Sequence, residues 1–435
     1  MTPFDSEKRV LVIGDIYIDT HADHGYIRLG GVFHAARTLH AIGATYAIAF
    51  LAPSYLHESI QAFLKQLGCI DYASVGEVHG APGVVIIKES LESGDIGYDD
   101  LLREARRVQW NDSALLALLE RFAPTDILIF PGAFPLENVI IESRRIRARL
   151  HVDGQYLPSF VDDVIRLSPL DTVFLSAPST ALKLSGGDPS QLWQTVRSHI
   201  TSLVIKENRG GSRAFFGVQQ AEAPAFPTKT IHSIGVGDCF DALVITAHST
   251  EPVAHTLGRA AYYASSYAST FDHDVFVDEI AHALKIDANV CQLSGKRLRW
   301  EQRPQHHVYL AAPDFPDVAT TKLDSLEAAL RYHNFSPHRP IKENGLAIAG
   351  SAVPHQRALF RADIELIDKC SLLIAVPLTA DPGTFAELGY FSALHRPTIL
   401  YEATAPIFNL FVRNCASRVC STLGGVIDSV FELLG

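Results

Sequence analysis

Long apolar runs are missing from this chain. No stretch approaches 18 uninterrupted apolar residues, so no membrane span is expected. Paired cysteines are missing too. The six cysteines (Cys69, Cys239, Cys291, Cys370, Cys415, Cys420) are scattered and form no Cys-x-x-Cys pair, which argues against a zinc ribbon or a disulfide framework. A reducing cytoplasm is the expected compartment. Residues 1–8 are polar and lead straight into an apolar stretch, with no signal-peptide layout. Positive charge is in deficit: 37 Lys and Arg stand against 48 Asp and Glu, a formal net charge of −11. A general nucleic-acid binder needs the opposite balance, although a single phosphate needs only a local site. The three tryptophans, Trp110, Trp193 and Trp300, are far apart in sequence and suggest no base-stacking platform. Nineteen histidines are present, but His306, His307, His333 and His338 lack the i, i+4 spacing of a helical metal pair. They are expected on the surface or in a linker, and no metal-ligating cluster is expected.

What is present is a chain of 435 residues, 47% apolar and 20% charged, the composition of a globular protein. At about 150 residues per domain, two or three domains are expected. Apolar strands and helical stretches alternate. Residues 9–13 and 45–51 read as buried strands flanking an Ala/Leu-rich helix over 32–42, the βαβ unit of a parallel sheet. Further strands are expected at 126–130, 150–153, 172–175 and 203–205, with helical character over 253–284. Residues 88–112 form a polar, acidic insertion, either a solvated excursion or a lid. Residues 291–307 are polar and basic without period, the composition of a linker. A second strand–helix series then begins, with strands at 308–312, 370–376 and 397–401 and helices at 322–333 and 384–394.

Two constellations carry chemistry. The first is Ile-Gly-Val-Gly-Asp-Cys-Phe-Asp at 234–241, followed by a helical run. Gly235 and Gly237 allow backbone N–H groups to turn inward around Val236. The helix start behind them favours an anion, and Asp238 at the lip can take a proton from an attacking hydroxyl. Taken alone this is equally the pattern of a glycine turn with a capping Asp. The segment resembles the C-terminal motif of the ribokinase-like (PfkB) carbohydrate and nucleoside kinases, and three other segments fall in family order. These are Gly14 to Asp19; Gly30-Gly31 with the helix after it; and Asp153 at a strand end. The resemblance implies a three-layer α/β/α domain over 1–292. It implies Asp238 as catalytic base, Gly235, Val236 and Gly237 as anion hole, Gly210 in the ATP loop, and Asp19, Gly30, Gly31 and His34 toward the substrate. It also implies ATP and Mg²⁺ as cofactors. The chain departs from the family in three places. His34 stands where Asn is usual, Ser-Ala-Pro-Ser at 176–179 replaces Asn-x-x-Glu, and Lys206-Glu207 replaces the Thr and Gly before the nucleotide loop. Two expectations follow: an ATP-dependent kinase, or a non-catalytic nucleotide or sugar sensor that regulates the second domain.

The second constellation is a set of acids with a tyrosine. Tyr309 lies in a strand, Asp363 precedes another, and Asp381-Pro-Gly-Thr-Phe-Ala-Glu387 runs from a strand end into a helix. Ligands of open α/β sheets bind at such strand ends. Neighbouring acids can separate into a proton donor and a nucleophile, as cleavage of a glycosidic bond requires. The same acids are also suited to capping helices. The whole set resembles the nucleoside 2-deoxyribosyltransferases, with Asn409 matching their later Asn and Phe411 replacing Met. This implies a flavodoxin-like parallel-sheet domain over 307–435, after a linker at 293–306, that needs no cofactor. By resemblance Glu387 attacks C1′, Tyr309 orients it, and Asp363 and Asp381 contact and protonate the base. Asn409 binds the sugar 5′-hydroxyl, in this family usually from a neighbouring subunit, so a homo-oligomer is expected. The chain ends Phe-Glu-Leu-Leu-Gly, without the tyrosine that the family brings to the site, so hydrolysis and base exchange both remain open. Expected partners are nucleosides, nucleobases or sugars, and neither nucleic acid nor membrane.

Overall fold

The computed structural model describes residues 3–21, 25–87, 98–101, 107–347 and 350–435. The insertion expected over 88–112 therefore lies largely outside the described residues. The chain divides into two compact units at Arg297/Leu298.

In the N-terminal unit seven strands run parallel, in the spatial order Ile200–Lys206, Leu170–Ser176, Arg149–Asp153, Asp126–Ile129, Arg9–Asp15, Thr45–Ala52 and Asp71–His79. Antiparallel strands extend it at both edges: Ser212–Phe216 and Gln219–Ala223 on one side, Arg107–Trp110 on the other. The central strands are continuous apolar runs, because helices cover a parallel sheet on both faces; Val10 to Ile13 are wholly buried. Helices Val32–Ala41, Val236–Thr246 and Val253–Ala268 contribute Phe33, Leu39, Phe240, Leu243 and Tyr263 to one core cluster. A separate four-stranded sheet has the order Tyr26–Leu29, Tyr17–His21, Gly83–Ile87, Tyr98–Leu101.

The C-terminal unit is a five-stranded, all-parallel sheet in the order Ser336–His338, His307–Ala311, Leu372–Ala375, Thr398–Tyr401, Arg418–Cys420. That is the 2-1-3-4-5 order of flavodoxin-like folds. Strand alternation sorts its side chains. Val308 and Leu310 join the core beneath helices Thr321–Tyr332 and Leu423–Leu434. Tyr309 and Ala311 point to the opposite face, with Leu366, Ile367, Leu388 and Phe391 from helices Val353–Lys369 and Pro382–Ala393. This period of two puts Tyr309 on the same face as the helices that carry Asp363 and Glu387.

The stretch 293–306 has more structure than its composition suggests. Trp300–Gln305 forms a 3₁₀ helix, and Trp300 and Arg303 are buried. Arg303 packs against the rings of Trp300 and Phe431 and donates to the Leu298 and His333 carbonyls. His333, expected at the surface, is buried, because its helix end folds under this arginine. His307 and His338 bond to each other (Nδ1 to Nε2, 2.7 Å). No helix among the described residues is long and apolar enough to cross a membrane.

Candidate functional site

The C-terminal acids converge. Tyr309 Oη donates to Glu387 Oε1 at 2.8 Å. Asp381 caps the helix Pro382–Ala393: its Oδ2 accepts from the Thr384 amide at 2.8 Å and from Thr384 Oγ1 at 2.9 Å. Pro382 at the first helical position suits this start, since a missing N–H costs nothing there. Asp363, near the end of its own helix, accepts from Asn344 Nδ2 at 2.8 Å. Burial first, then the Asp363 and Asp381 charges, push the Glu387 carboxyl up to about 7, against the lowering pull of the Tyr309 hydrogen bond. Burial, reinforced by the Glu387 charge, pushes the Tyr309 hydroxyl up as well, so it stays a donor. The arrangement holds one Glu387 carboxyl oxygen on a phenol and sets two further acids beside it, each with one oxygen anchored.

Asn344 and Thr384 were not singled out in the sequence. Asn344 ends a five-residue helix, Pro340–Asn344, and nothing in its local pattern marks it. Thr384 was legible, being the third residue after a capping Asp. Asn409 caps its own helix, accepting from the Val412 amide at 3.1 Å. Among the described residues it makes no hydrogen bond to the acids. Its neighbours Phe408, Leu410 and Phe411 are 88%, 77% and 78% exposed.

The N-terminal residues also gather. Asp19 Oδ2 lies 3.2 Å from His34 Nε2 and 3.6 Å from Arg28 Nε, all three nearly buried. Burial holds the His34 imidazole near 4 despite Asp19 beside it, so the ring is neutral at pH 7. Its Nε2–H therefore faces Asp19, and Nδ1 accepts from Tyr267 Oη at 2.7 Å. The glycines are there for close approach. A Cβ on Gly30 would stand 2.3 Å from Asp19 Oδ1, and one on Gly235 (φ +70°) 2.0 Å from the His34 ring. Gly31, at φ +62°, would put a Cβ 2.1 Å from the Asp15 carbonyl oxygen.

Behind Gly235 begins the helix Val236–Thr246. Burial first, then the Asp153 charge, push the Asp238 carboxyl up to about 7, while Lys206 pulls the other way. The Val236 amide is spent on the Ser233 carbonyl, 3.3 Å away, so of the three expected anion-hole positions this one is engaged within the turn. Gly210 is buried in the short turn Asn208–Gly210, its amide on the Glu207 carbonyl at 3.0 Å. Glu207 pairs with Arg213 in the interior. A cavity of about 390 Å³ opens among Phe226, Thr228, Tyr262, Ser266, Glu279 and His282.

The loop 176–179, where the family resemblance places its Asn-x-x-Glu, offers no acid to a divalent ion. Ser179 spends its Oγ capping the helix Thr180–Leu184. Among the described residues no three His, Cys, Asp or Glu side chains are arranged to hold a metal. The acids closest to hand, Asp153 and Asp241, both grip Lys206.

Each of the two α/β units thus brings an acid pushed up to about 7 beside further carboxylates. Residues 308–419 match the family model of the nucleoside 2-deoxyribosyltransferases. Solved structures similar to the N-terminal part are sugar kinases of the ribokinase type. Fructokinase from Vibrio cholerae O395, solved with fructose, ADP and a calcium ion, is 14% identical over 65% of this chain and 100% of its own, with a TM-score of 0.51. A putative ribokinase II from Escherichia coli, in complex with ATP and Mg²⁺, is 15% identical over 64% of this chain and 99% of its own, TM-score 0.48. A phosphofructokinase-2 variant from Escherichia coli is 14% identical over 63% and 99%, TM-score 0.48. The likeness to the fructokinase is one of fold. No curated protein matches the sequence significantly. The chain joins a unit of ribokinase-like fold to a unit that resembles the nucleoside 2-deoxyribosyltransferases.

Proposed function

We propose that the C-terminal unit cleaves or exchanges the N-glycosidic bond of a nucleoside, with Glu387 as nucleophile. The Tyr309–Glu387 hydrogen bond carries this reading, because it fixes one carboxylate oxygen and leaves the other to attack. The Glu387 carboxylate bonds to C1′ as the C1′–N bond breaks, and the electron pair goes to the base nitrogen. Asp363 or Asp381 supplies the proton that the base carries away. Water or a second base then attacks C1′, the acid that gave its proton takes one from the attacking water or base nitrogen, and Glu387 leaves as carboxylate. Asn409, exposed among apolar neighbours, reaches the 5′-hydroxyl of a site in an adjoining copy of the chain, as the family resemblance implies.

For the N-terminal unit we propose phosphorylation of a sugar or nucleoside hydroxyl by ATP. Asp238 takes the hydroxyl proton, Asp19 and His34 hold the acceptor, and the cavity beside Phe226 and Tyr262 takes the nucleobase of the donor. A second reading, a sensor that binds without transfer, is favoured by one observation: the loop 176–179 offers no acid.

One experiment tests both. The full chain is incubated with pooled nucleosides and sugars, with ATP–Mg²⁺ and without, and products are read by mass spectrometry. Base release is expected in the wild type and on the order of 10³-fold or more slower in Glu387→Ala; unchanged release overturns the glycosyl mechanism. Phosphorylated product lost in Asp238→Asn supports the kinase, and its absence from the wild type supports the sensor.

A further inference from the structure

Three carboxylates stand near the N-terminal end of the helix Val236–Thr246: Asp153, Asp238 and Asp241. What balances them is a side chain. Lys206 closes the strand Ile200–Lys206 and is almost fully buried. Its Nζ lies 3.2 Å from Asp153 Oδ2 and 2.8 Å from Asp241 Oδ2. It lies 5.8 Å from the centre of the Phe174 ring. It also lies 3.2 Å from where a Cβ on Gly237 would stand, so the ammonium reaches the loop 235–238 itself. Asp241 is wholly buried, and its Oδ1 has no hydrogen-bond partner among the described residues. Buried carboxylates need a counter-charge, and a metal ion or a fixed ammonium can each provide it. Here the ammonium sits where the two carboxylate oxygens converge. A divalent ion cannot bind the same oxygens without displacing it.

We propose that Lys206 is the resident cation of this site, held by Asp153 and Asp241 in the place of a divalent ion. A ligand arriving at the loop 235–238 then meets an ammonium that is already part of the chain, together with the carboxylates that hold it. The inference rests on the ion geometry and not on phosphoryl transfer, since it holds equally for a unit that binds phosphate and for one that transfers it.

The test is Mn²⁺ binding to the full chain, followed by the electron paramagnetic resonance of the free ion. Wild type and Lys206→Arg are expected to show no site that depends on Asp241. Lys206→Ala is expected to gain one site per chain, at least about tenfold tighter than any in the wild type, and to lose it when Asp241→Asn is added. A wild-type site abolished by Asp241→Asn overturns the proposal, and so does a folded Lys206→Ala chain that gains none. If Lys206→Ala does not fold, Lys206→Met, similar in bulk but uncharged, decides by circular dichroism in metal-free buffer. Folding as stable as the wild type overturns the proposal; loss of structure while Lys206→Arg folds supports it.

Discussion

Each unit of this protein holds a group of three acids, and burial above all raises carboxyls in both: Glu387 up to about 7 in one, Asp238 up to about 7 and Asp241 well above the usual carboxylate range in the other. The two groups are balanced differently. Around Asp238 the counter-charge is a buried ammonium on two carboxylates. Around Glu387 the partners are neutral donors: a phenol on Glu387, an amide on Asp363, a hydroxyl and a backbone N–H on Asp381. A fixed cation lowers the cost of every nearby negative charge. A neutral donor fixes one oxygen and leaves the net charge in place. The first arrangement suits a site that must keep several acids together in the interior. The second suits a site where one acid must lose its proton and another keep it.

The sharpest way to break this comparison is to neutralise one group in each unit and read stability at pH 8. Lys206→Met leaves two buried carboxylates without their partner and is expected to cost about 3–5 kcal/mol in urea unfolding. Glu387→Gln is expected to change stability the other way. The Glu387 pKa rises on folding from its ordinary 4.5 to about 7. Its stabilising contribution is therefore complete below about 4.5 and is lost as pH climbs through about 7. The amide removes that loss, so Glu387→Gln is expected to melt above the wild type at pH 8 and to show a flatter pH dependence between 5 and 8. If both substitutions destabilise at pH 8, the two groups do not differ in the way described.

Tyr309→Phe sharpens the comparison from the neutral side. It removes the one donor that lowers the Glu387 pKa and the bond that fixes its oxygen. Base release is expected to fall about 10–100-fold, mostly in kcat. Because attack needs the carboxylate, the acid limb of the kcat/KM profile is expected to move to higher pH. A fall in rate with an unmoved acid limb would mean that Tyr309 acts on substrate and not through Glu387.

Much of this was legible in the sequence, for a physical reason. Parallel sheets bury whole strands, so residues 9–13 and 308–312 announce themselves as apolar runs. Glycines forced by close approach mark what they admit: Gly30 the Asp19 carboxylate, Gly235 the His34 ring. The Asp381-to-Glu387 spacing is local, set by a cap and the first two turns of one helix. Long-range pairs were not legible. Lys206 was visible only as a departure from the kinase pattern; its grip on Asp153 and Asp241 joins residues 53 and 35 positions away. The polar stretch 293–306 reads as a linker because its buried apolar residues, Leu298 and Trp300, are few and Trp300 packs on a buried arginine, a combination that composition alone averages out.

The smallest effect expected is at Asn344, which nothing in the sequence marked. Its Nδ2 donates to Asp363 Oδ1 across 19 residues, so that oxygen is an acceptor whatever the proton count. Any proton on Asp363 is then confined to Oδ2, the oxygen left to serve the departing base. Asn344→Ala frees Asp363 to turn and to protonate on either oxygen, and kcat for base release is expected to fall about 3–10-fold. Asn344→Asp places a second carboxylate against Asp363 and is expected to do more harm than alanine, since like charges raise the pKa of the pair. A purely structural role predicts the reverse order, with the near-isosteric Asp tolerated better than Ala. Comparing the two variants by kcat and by melting temperature therefore separates proton placement on Asp363 from simple packing.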